Sequence, residues 1–213
     1  MMTDLFVDLD YSSAAYQSLK LQDAEVRLFP NFFSANESDH FFNMLLAEID
    51  WCQEEMKMYG RIHKLPRLMA WYGDSAHNLQ YEFSGIRKNA IKWSEDLLQI
   101  KKRIQPHIDT KINSVLLNLY RDEKDGVAWH SDDEPELGRA PTIASISFGQ
   151  EREFQLKHKK ISNLRHSMIL PNGSLLIMSG STQRHWQHQI PKRTKGMTPR
   201  INLTFRTVMR MRS

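Results

Sequence analysis

The chain has 213 residues, 40% of them hydrophobic and 25% charged, with a formal net charge of +4. That is apolar enough to build one ordinary globular domain and unlike a disordered tract. The single cysteine, Cys52, excludes an internal disulfide and fits a reducing compartment, and the longest strongly apolar run, LLIM at 175–178, is far short of the ~20 residues of a membrane span.

The chain opens MMTDLFVDLD, with acids where a secretory signal would carry bases. The expectation is an intracellular monomer with no membrane partner, cytoplasmic in a bacterium or nuclear in a eukaryote. Residues 1–25, with Asp4, Asp8, Asp10, Asp23 and Glu25 against Lys20 alone, read as an extension. SANESDHFFNMLLAEIDW at 34–51 has the S-x-x-E spacing of a capping box in Ser34 and Glu37. Phe41, Phe42, Leu45, Leu46 and Ile49 then recur at helical intervals, which predicts an amphipathic helix with that stripe in the core. Residues 56–85, rich in aromatics, bases and turn formers, read as loops and short strands. A second helix is predicted over 89–105, with Ile91, Leu97, Leu98 and Ile104 inward and Pro106 ending it.

From 112 the pattern changes. INSVLLNLY, TIASISFG, REFQLKH, SMIL, SLLIM and RINLTFRTV are short runs rich in β-branched and aromatic residues, separated by turn formers such as Pro171-Asn172-Gly173. They predict an antiparallel sandwich or jelly roll with the helices packed on it, an α+β fold. In RINLTFR, Arg200, Asn202, Thr204 and Arg206 share one face, and in SVLLNLY, Asn118 and Tyr120 point the same way. Such faces could line a barrel interior that binds an anion, although alternation alone favours ordinary solvated faces. Residues 180–213 carry eight bases and no acid, which fits a polyanionic partner or a solvated tail equally well.

WHSDDEP at 129–135 concentrates the chemistry. His130 and Asp132 are two apart, so on an extended backbone they project to one side. A distant histidine would complete the two-histidine, one-carboxylate triad that leaves open positions on non-haem Fe(II). His158, His166, His185 and His188 are the candidates. H-x-D alone is weak, and a solvated loop is the commoner explanation. The order of H-x-D, strands, a late histidine and an arginine-bearing final strand changes the balance.

These blocks resemble the AlkB-type Fe(II)/2-oxoglutarate dioxygenases, closest to the branch that repairs alkylated duplex DNA. N-L-Y at 118–120, H-S-D-D-E at 130–134, P-T-I-A-S-I-S-F-G at 141–149, G-S-L-L-I-M at 173–178, H-W-Q-H-Q-I-P at 185–191 and P-R-I-N-L-T-F-R at 199–206 carry the resemblance over roughly residues 55–208. It implies a double-stranded β-helix core over 112–208 and a nucleotide-recognition lid over 56–88, within one dioxygenase domain at 26–213. It also implies Fe(II) on His130, Asp132 and His188, the last chosen because the family's distal histidine stands three residues before a proline, here Pro191. Asn118, Tyr120, Arg200 and Arg206 would form the 2-oxoglutarate pocket, a guanidinium fork being suited to a carboxylate. O2 completes the reactants, with ascorbate as the in vitro reductant.

The implied reaction is oxidative demethylation of bases such as 1-methyladenine and 3-methylcytosine in double- or single-stranded DNA, yielding succinate and formaldehyde. The alternative is an oxygenase of this fold acting on RNA, protein or a small molecule. Asp133 and Glu134 would read the base. Tyr81 and Phe83 would embrace it once flipped, and Tyr59, in M-Y-G at 58–60, would fill the gap in the duplex. Arg67, Lys192, Arg193 and Lys195 are the expected phosphate contacts.

Overall fold

The computed structural model describes residues 15–58, 60–74, 80–83 and 86–209, with backbone alone at 57–58, 80–83 and 86–89. Strands β1 (Gln17–Leu19) and β2 (Glu25–Phe29) precede helix α1 (Ala35–Glu48). A hairpin of β3 (Glu55–Met58) and β4 (Arg61–Lys64), strand β5 (Leu68–Gly73), a hairpin of β6 (Gln80–Phe83) and β7 (Ile86–Asn89) and the short β8 (Ile91–Lys92) lead to helix α2 (Glu95–Ile104). Then come β9 (Ser114–Tyr120), β10 (Val127–His130), β11 (Ile143–Gly149), β12 (Arg152–His158), β13 (Arg165–Leu170) and β14 (Ser174–Ser179). Helix α3 (Thr182–His185), β15 (Trp186–Ile190) and β16 (Arg200–Arg206) complete the order.

The strands make a jelly roll. An eight-stranded sheet runs β1-β2-β14-β11-β16-β9-β5-β8, and a four-stranded sheet runs β10-β15-β12-β13. Every pairing in the two sheets is antiparallel except β5 with β8. Alternation along β16 divides the interior. Ile201, Leu203 and Phe205 join Phe41 and Leu45 of α1 and Leu97, Ile100 and Ile104 of α2 in one apolar core between helices and sheet. Leu116, Met178, Phe154, Leu156, Trp186 and Ile190 belong to a second core, drawn from both sheets.

The capping box of α1 is formed, Ser34 accepting from Glu37 N–H while Glu37 accepts from Ser34 N–H. Its stripe is narrower than expected: Phe41, Leu45 and Ile49 are buried, Phe42 is half-buried and Leu46 is exposed. Helix α2 begins at Glu95 because Ser94 caps it, with Glu95 and Asp96 in the first turn, where the helix dipole favours acids. Ile91, expected inside a helix from 89, instead extends the sheet beside Tyr72 and is exposed. Leu98 also faces solvent, and Ile100 takes the inward place.

Two boundaries fall differently from the sequence expectation. Residues 17–19 and 25 pair in the major sheet, although 1–25 reads as an extension. Strand β5 lies within the 56–88 segment read as a lid, yet it pairs with β9 as part of the major sheet, next to its edge strand β8. The two hairpins that flank it form separate two-stranded sheets.

Candidate metal centre

His130 ends β10 and stands opposite His188 of β15 across the antiparallel ladder. That register brings the two rings to 4.2 Å between centroids. Asp132, just past the strand, is buried, and one ligand atom from each of His130, Asp132 and His188 lies within 4.8 Å of the others. His188 is therefore the partner among the four late histidines, and its Nε2 lies 3.5 Å from Asp132 Oδ2.

The protonation states suit a cation. Burial, then the neighbouring His130, pushes the His188 pKa down to about 3 against the pull of Asp132, so the ring is neutral and keeps a lone pair. His130 Nδ1 is 2.9 Å from the carbonyl of Ala128, which can only accept. Nδ1 therefore carries the proton and Nε2 is left to bind metal. Burial raises the Asp132 carboxyl, but Arg206, then His188 and His130, outweigh it and hold the group below the usual carboxylate range. Two imidazoles, each with one nitrogen available to the site, and one carboxylate match the facial triad of non-haem Fe(II), which leaves open positions on the metal.

The same cavity is lined by Asn118 and Tyr120 from β9 and by Arg200, Asn202, Thr204 and Arg206 from β16. Those polar residues are buried, so the face that alternation alone would leave to solvent points into the barrel. Arg206 bonds the Oδ1 of Asp132 and so touches the metal site directly. Arg200 is 1% exposed and donates to Ser147 Oγ at 2.8 Å, and its Nε and Nη1 are buried without a partner. Burial brings its pKa down to about 10, with Tyr120 opposing and Arg152 reinforcing the shift, so it stays charged at neutral pH. Among the described residues no carboxylate pairs with it. A buried guanidinium with idle donors is costly unless an anion joins it, and a dicarboxylate co-substrate fits that need.

The expected substrate residues separate into groups. Glu134 lines the cavity, whereas Asp133 is exposed and held by Lys159 Nζ at 2.9 Å. Arg67 is not a surface phosphate contact. It is buried in the cavity wall, with Nε donating to Asn118 Oδ1 at 2.8 Å, because Pro66 and Arg67 lead into strand β5, which pairs with β9. Lys192, Arg193 and Lys195 are exposed on the loop after β15, with Arg193 paired to Glu153. Of the eight C-terminal bases, Arg200 and Arg206 are thus removed from any surface patch. Tyr59 and the side chains of Tyr81 and Phe83 lie outside the described residues.

His185 belongs elsewhere. With Asp23 and His158 it forms a second group whose ligand atoms lie within 4.8 Å of one another. There His158 Nδ1 accepts N–H bonds from Lys160 at 3.2 Å and Ile161 at 3.0 Å. A nitrogen that accepts has no proton, so Nε2 carries it, 3.4 Å from Asp23 Oδ2 but without a hydrogen bond to it.

The sequence comparisons agree with this geometry. The profile of the 2OG-Fe(II) oxygenase superfamily matches residues 25–206. The human "Alpha-ketoglutarate-dependent dioxygenase alkB homolog 3" is 41% identical over 87% of this chain and 66% of its own length, so the chain spans just under two thirds of that relative. The human "DNA oxidative demethylase ALKBH2" is 36% identical over 83% of the chain and 71% of its own length. The solved structure of OsALKBH1 superposes on 91% of this chain with a TM-score of 0.61 at 18% identity, a likeness of fold. Matched along nearly its whole described length and built around the same type of triad, this chain belongs to the 2OG-Fe(II) oxygenase superfamily, in its AlkB-type branch.

Proposed function

We propose that this chain is an oxidative demethylase of N-alkylated bases, such as 1-methyladenine and 3-methylcytosine, in DNA. The observation that carries the reading is the pairing, in one cavity, of the His130–Asp132–His188 group with the uncompensated guanidinium of Arg200. With Fe(II), 2-oxoglutarate and O2 bound, such a centre would supply the oxidising power to hydroxylate an N-methyl group, one oxygen atom going to the methyl carbon, which leaves as formaldehyde, and the other to the co-substrate, which loses CO2 and becomes succinate.

The chain's own residues supply placement. The idle donors of Arg200 take the far carboxylate of the co-substrate, with Tyr120 fixed beside them by its ring 5.2 Å from the guanidinium carbon. Asn118, held by Arg67, shapes the same wall. Arg206 keeps the Asp132 carboxylate ionised and oriented. Glu134, on the cavity lining, offers a carboxylate to a cationic methylated base, and the neighbouring exposed Asp133 supplies a second. Tyr81 and Phe83 stack on the flipped base and Tyr59 fills the vacated step, partly replacing lost stacking. Lys192 and Lys195 take phosphates. The names of the relatives that act on DNA or bear the alkB designation support this substrate class.

The test is a mass-spectrometric assay of one oligonucleotide carrying 1-methyladenine, single-stranded and annealed, with Fe(II), 2-oxoglutarate, ascorbate and air. Methyl loss that requires 2-oxoglutarate is the expected result, and the faster form identifies the preferred strand state. Succinate formed without methyl loss on either form would move the substrate to RNA, protein or a small molecule.

A further inference from the structure

The segment that carries the carboxylate ligand is fastened at three consecutive residues. Ser131 Oγ donates to the Trp186 carbonyl at 2.8 Å. Asp132 N–H donates to Gln183 Oε1 at 3.0 Å, in a buried bond. Asp133 Oδ2 accepts from Lys159 Nζ, which also donates to the Gln183 carbonyl at 2.8 Å. The first two ties end on the first residue of β15 and on α3, and the third reaches α3 through Lys159.

Gln183 is the hub, its side-chain oxygen on Asp132 and its main-chain oxygen on the lysine that holds Asp133. It is 1% exposed. Its Nε2 lies 3.6 Å from the sulfur of Met178, which lines the metal cavity. The helix that presents it is itself pinned: Thr182 Oγ1 donates to Ser179 O at 2.6 Å and accepts from Glu25 N–H at 2.9 Å, and Trp186 Nε1 donates to Gln22 O at 2.9 Å. Asp132 has left its strand and has no ladder bond, so its main-chain position depends on these ties. His188, by contrast, is fixed by the β-ladder.

We propose that Gln183 is a positioning residue of the metal centre, whose amide oxygen sets the Asp132 carboxylate against His188 through the Asp132 N–H. An acceptor is needed there and an apolar group of similar size will not serve, since it would leave a buried N–H unpaired and Asp132 free to turn. The proposal rests on the triad as a metal site and is independent of the substrate.

The experiment titrates Co(II) into the metal-free full chain without 2-oxoglutarate or nucleic acid, following ligand-field absorption, with the thermal midpoint in EDTA as a check of folding. Gln183→Leu removes the acceptor; Gln183→Glu keeps one. The expected result is a folded Gln183→Leu chain whose Co(II) affinity falls about 10–100-fold, the range for outer-shell partners of metal ligands. Gln183→Glu should bind close to wild type. If Gln183→Leu does not fold, the unbranched Gln183→Met is titrated in its place. Wild-type affinity in the acceptor-free variant overturns the proposal, and so does an equal loss in Gln183→Glu, which would make the residue a packing element. Failure of Co(II) to bind the wild type at the triad would overturn the metal site itself.

Discussion

Two groups of two histidines and one aspartate occur among the described residues, each with ligand atoms within 4.8 Å, yet their chemistry is opposite. At His130 the outer ring nitrogen meets a carbonyl, which obliges it to donate and frees the inner nitrogen's lone pair. At His158 the outer nitrogen meets two backbone N–H groups, which obliges it to accept and puts the proton on the inner nitrogen. Proximity is the same in both; the atom behind the ring decides which can hold a metal. The second group acts as a clasp. Its His158–Asp23 contact and the Ser181 hydroxyl bond to Asp23 O tie the 22–25 turn to the segment around α3.

The largest expected effect tests that contrast directly. His188→Ala should abolish Co(II) binding and all 2-oxoglutarate turnover, whereas His158→Leu should leave one equivalent of Co(II) bound and lose stability instead. Two N–H groups would be left without an acceptor, at about 1–3 kcal/mol for each that stays out of water. Equilibrium dialysis and a denaturant melt separate the outcomes. Two equivalents bound by the wild type, falling to one in His158→Leu, would show that the clasp is a second metal site.

The next effect concerns charge without a partner. Asp132 has Arg206, but among the described residues Arg200 has no carboxylate partner, and under the proposed function it receives that of the co-substrate. Arg200→Ala should raise the 2-oxoglutarate concentration needed for half-maximal succinate release by about 10–100-fold, as expected for charge-assisted bonds of about 1.5–3 kcal/mol. Arg200→Lys should recover little, because a point charge cannot match the planar fork. An unchanged requirement in Arg200→Ala would place the co-substrate elsewhere, while metal binding should be intact in either variant.

Much of this was readable from residues alone, and the misses share a cause. The two-residue spacing of His130 and Asp132 and the alternation of Arg200, Asn202, Thr204 and Arg206 give side-chain direction, which the backbone imposes locally. What covers a face is a tertiary fact: alternation could not tell a solvated face from a cavity wall, so the polar side of β16 became interpretable only with the four-stranded sheet opposite. Arg67 misled for the same reason, as a base reads as a phosphate contact until its position at the start of β5, beside β9, shows it in the cavity wall. The second histidine group joins residues from the N-terminal turn, β12 and α3, and no spacing rule links them. Ser94 before Glu95 and Asp96 was a legible helix start, overridden by the apolar Ile91.

The smallest effect is a control that lies apart from both groups. Glu37 closes the capping box of α1 and pairs with Arg103 at 2.5 Å. Burial raises its pKa, but the Ser34 hydroxyl and N–H, together with Arg103, outweigh burial and hold it below the ordinary value. A depressed folded pKa means that the ionised group stabilises the fold above the usual carboxylate range, and that this contribution is lost as pH falls through the folded pKa. Glu37→Gln keeps an N3 residue that a capping box accepts but loses the charge near the helix N-terminus and the pair with Arg103, so it should cost about 0.3–1 kcal/mol at neutral pH. The gap from wild type should close on acidification, while Co(II) affinity stays unchanged. A gap that persists to low pH would assign the effect to packing of α1, and any change in Co(II) affinity would show that helix stability alone can disturb the triad, removing the basis for reading the His188 and His158 variants as local.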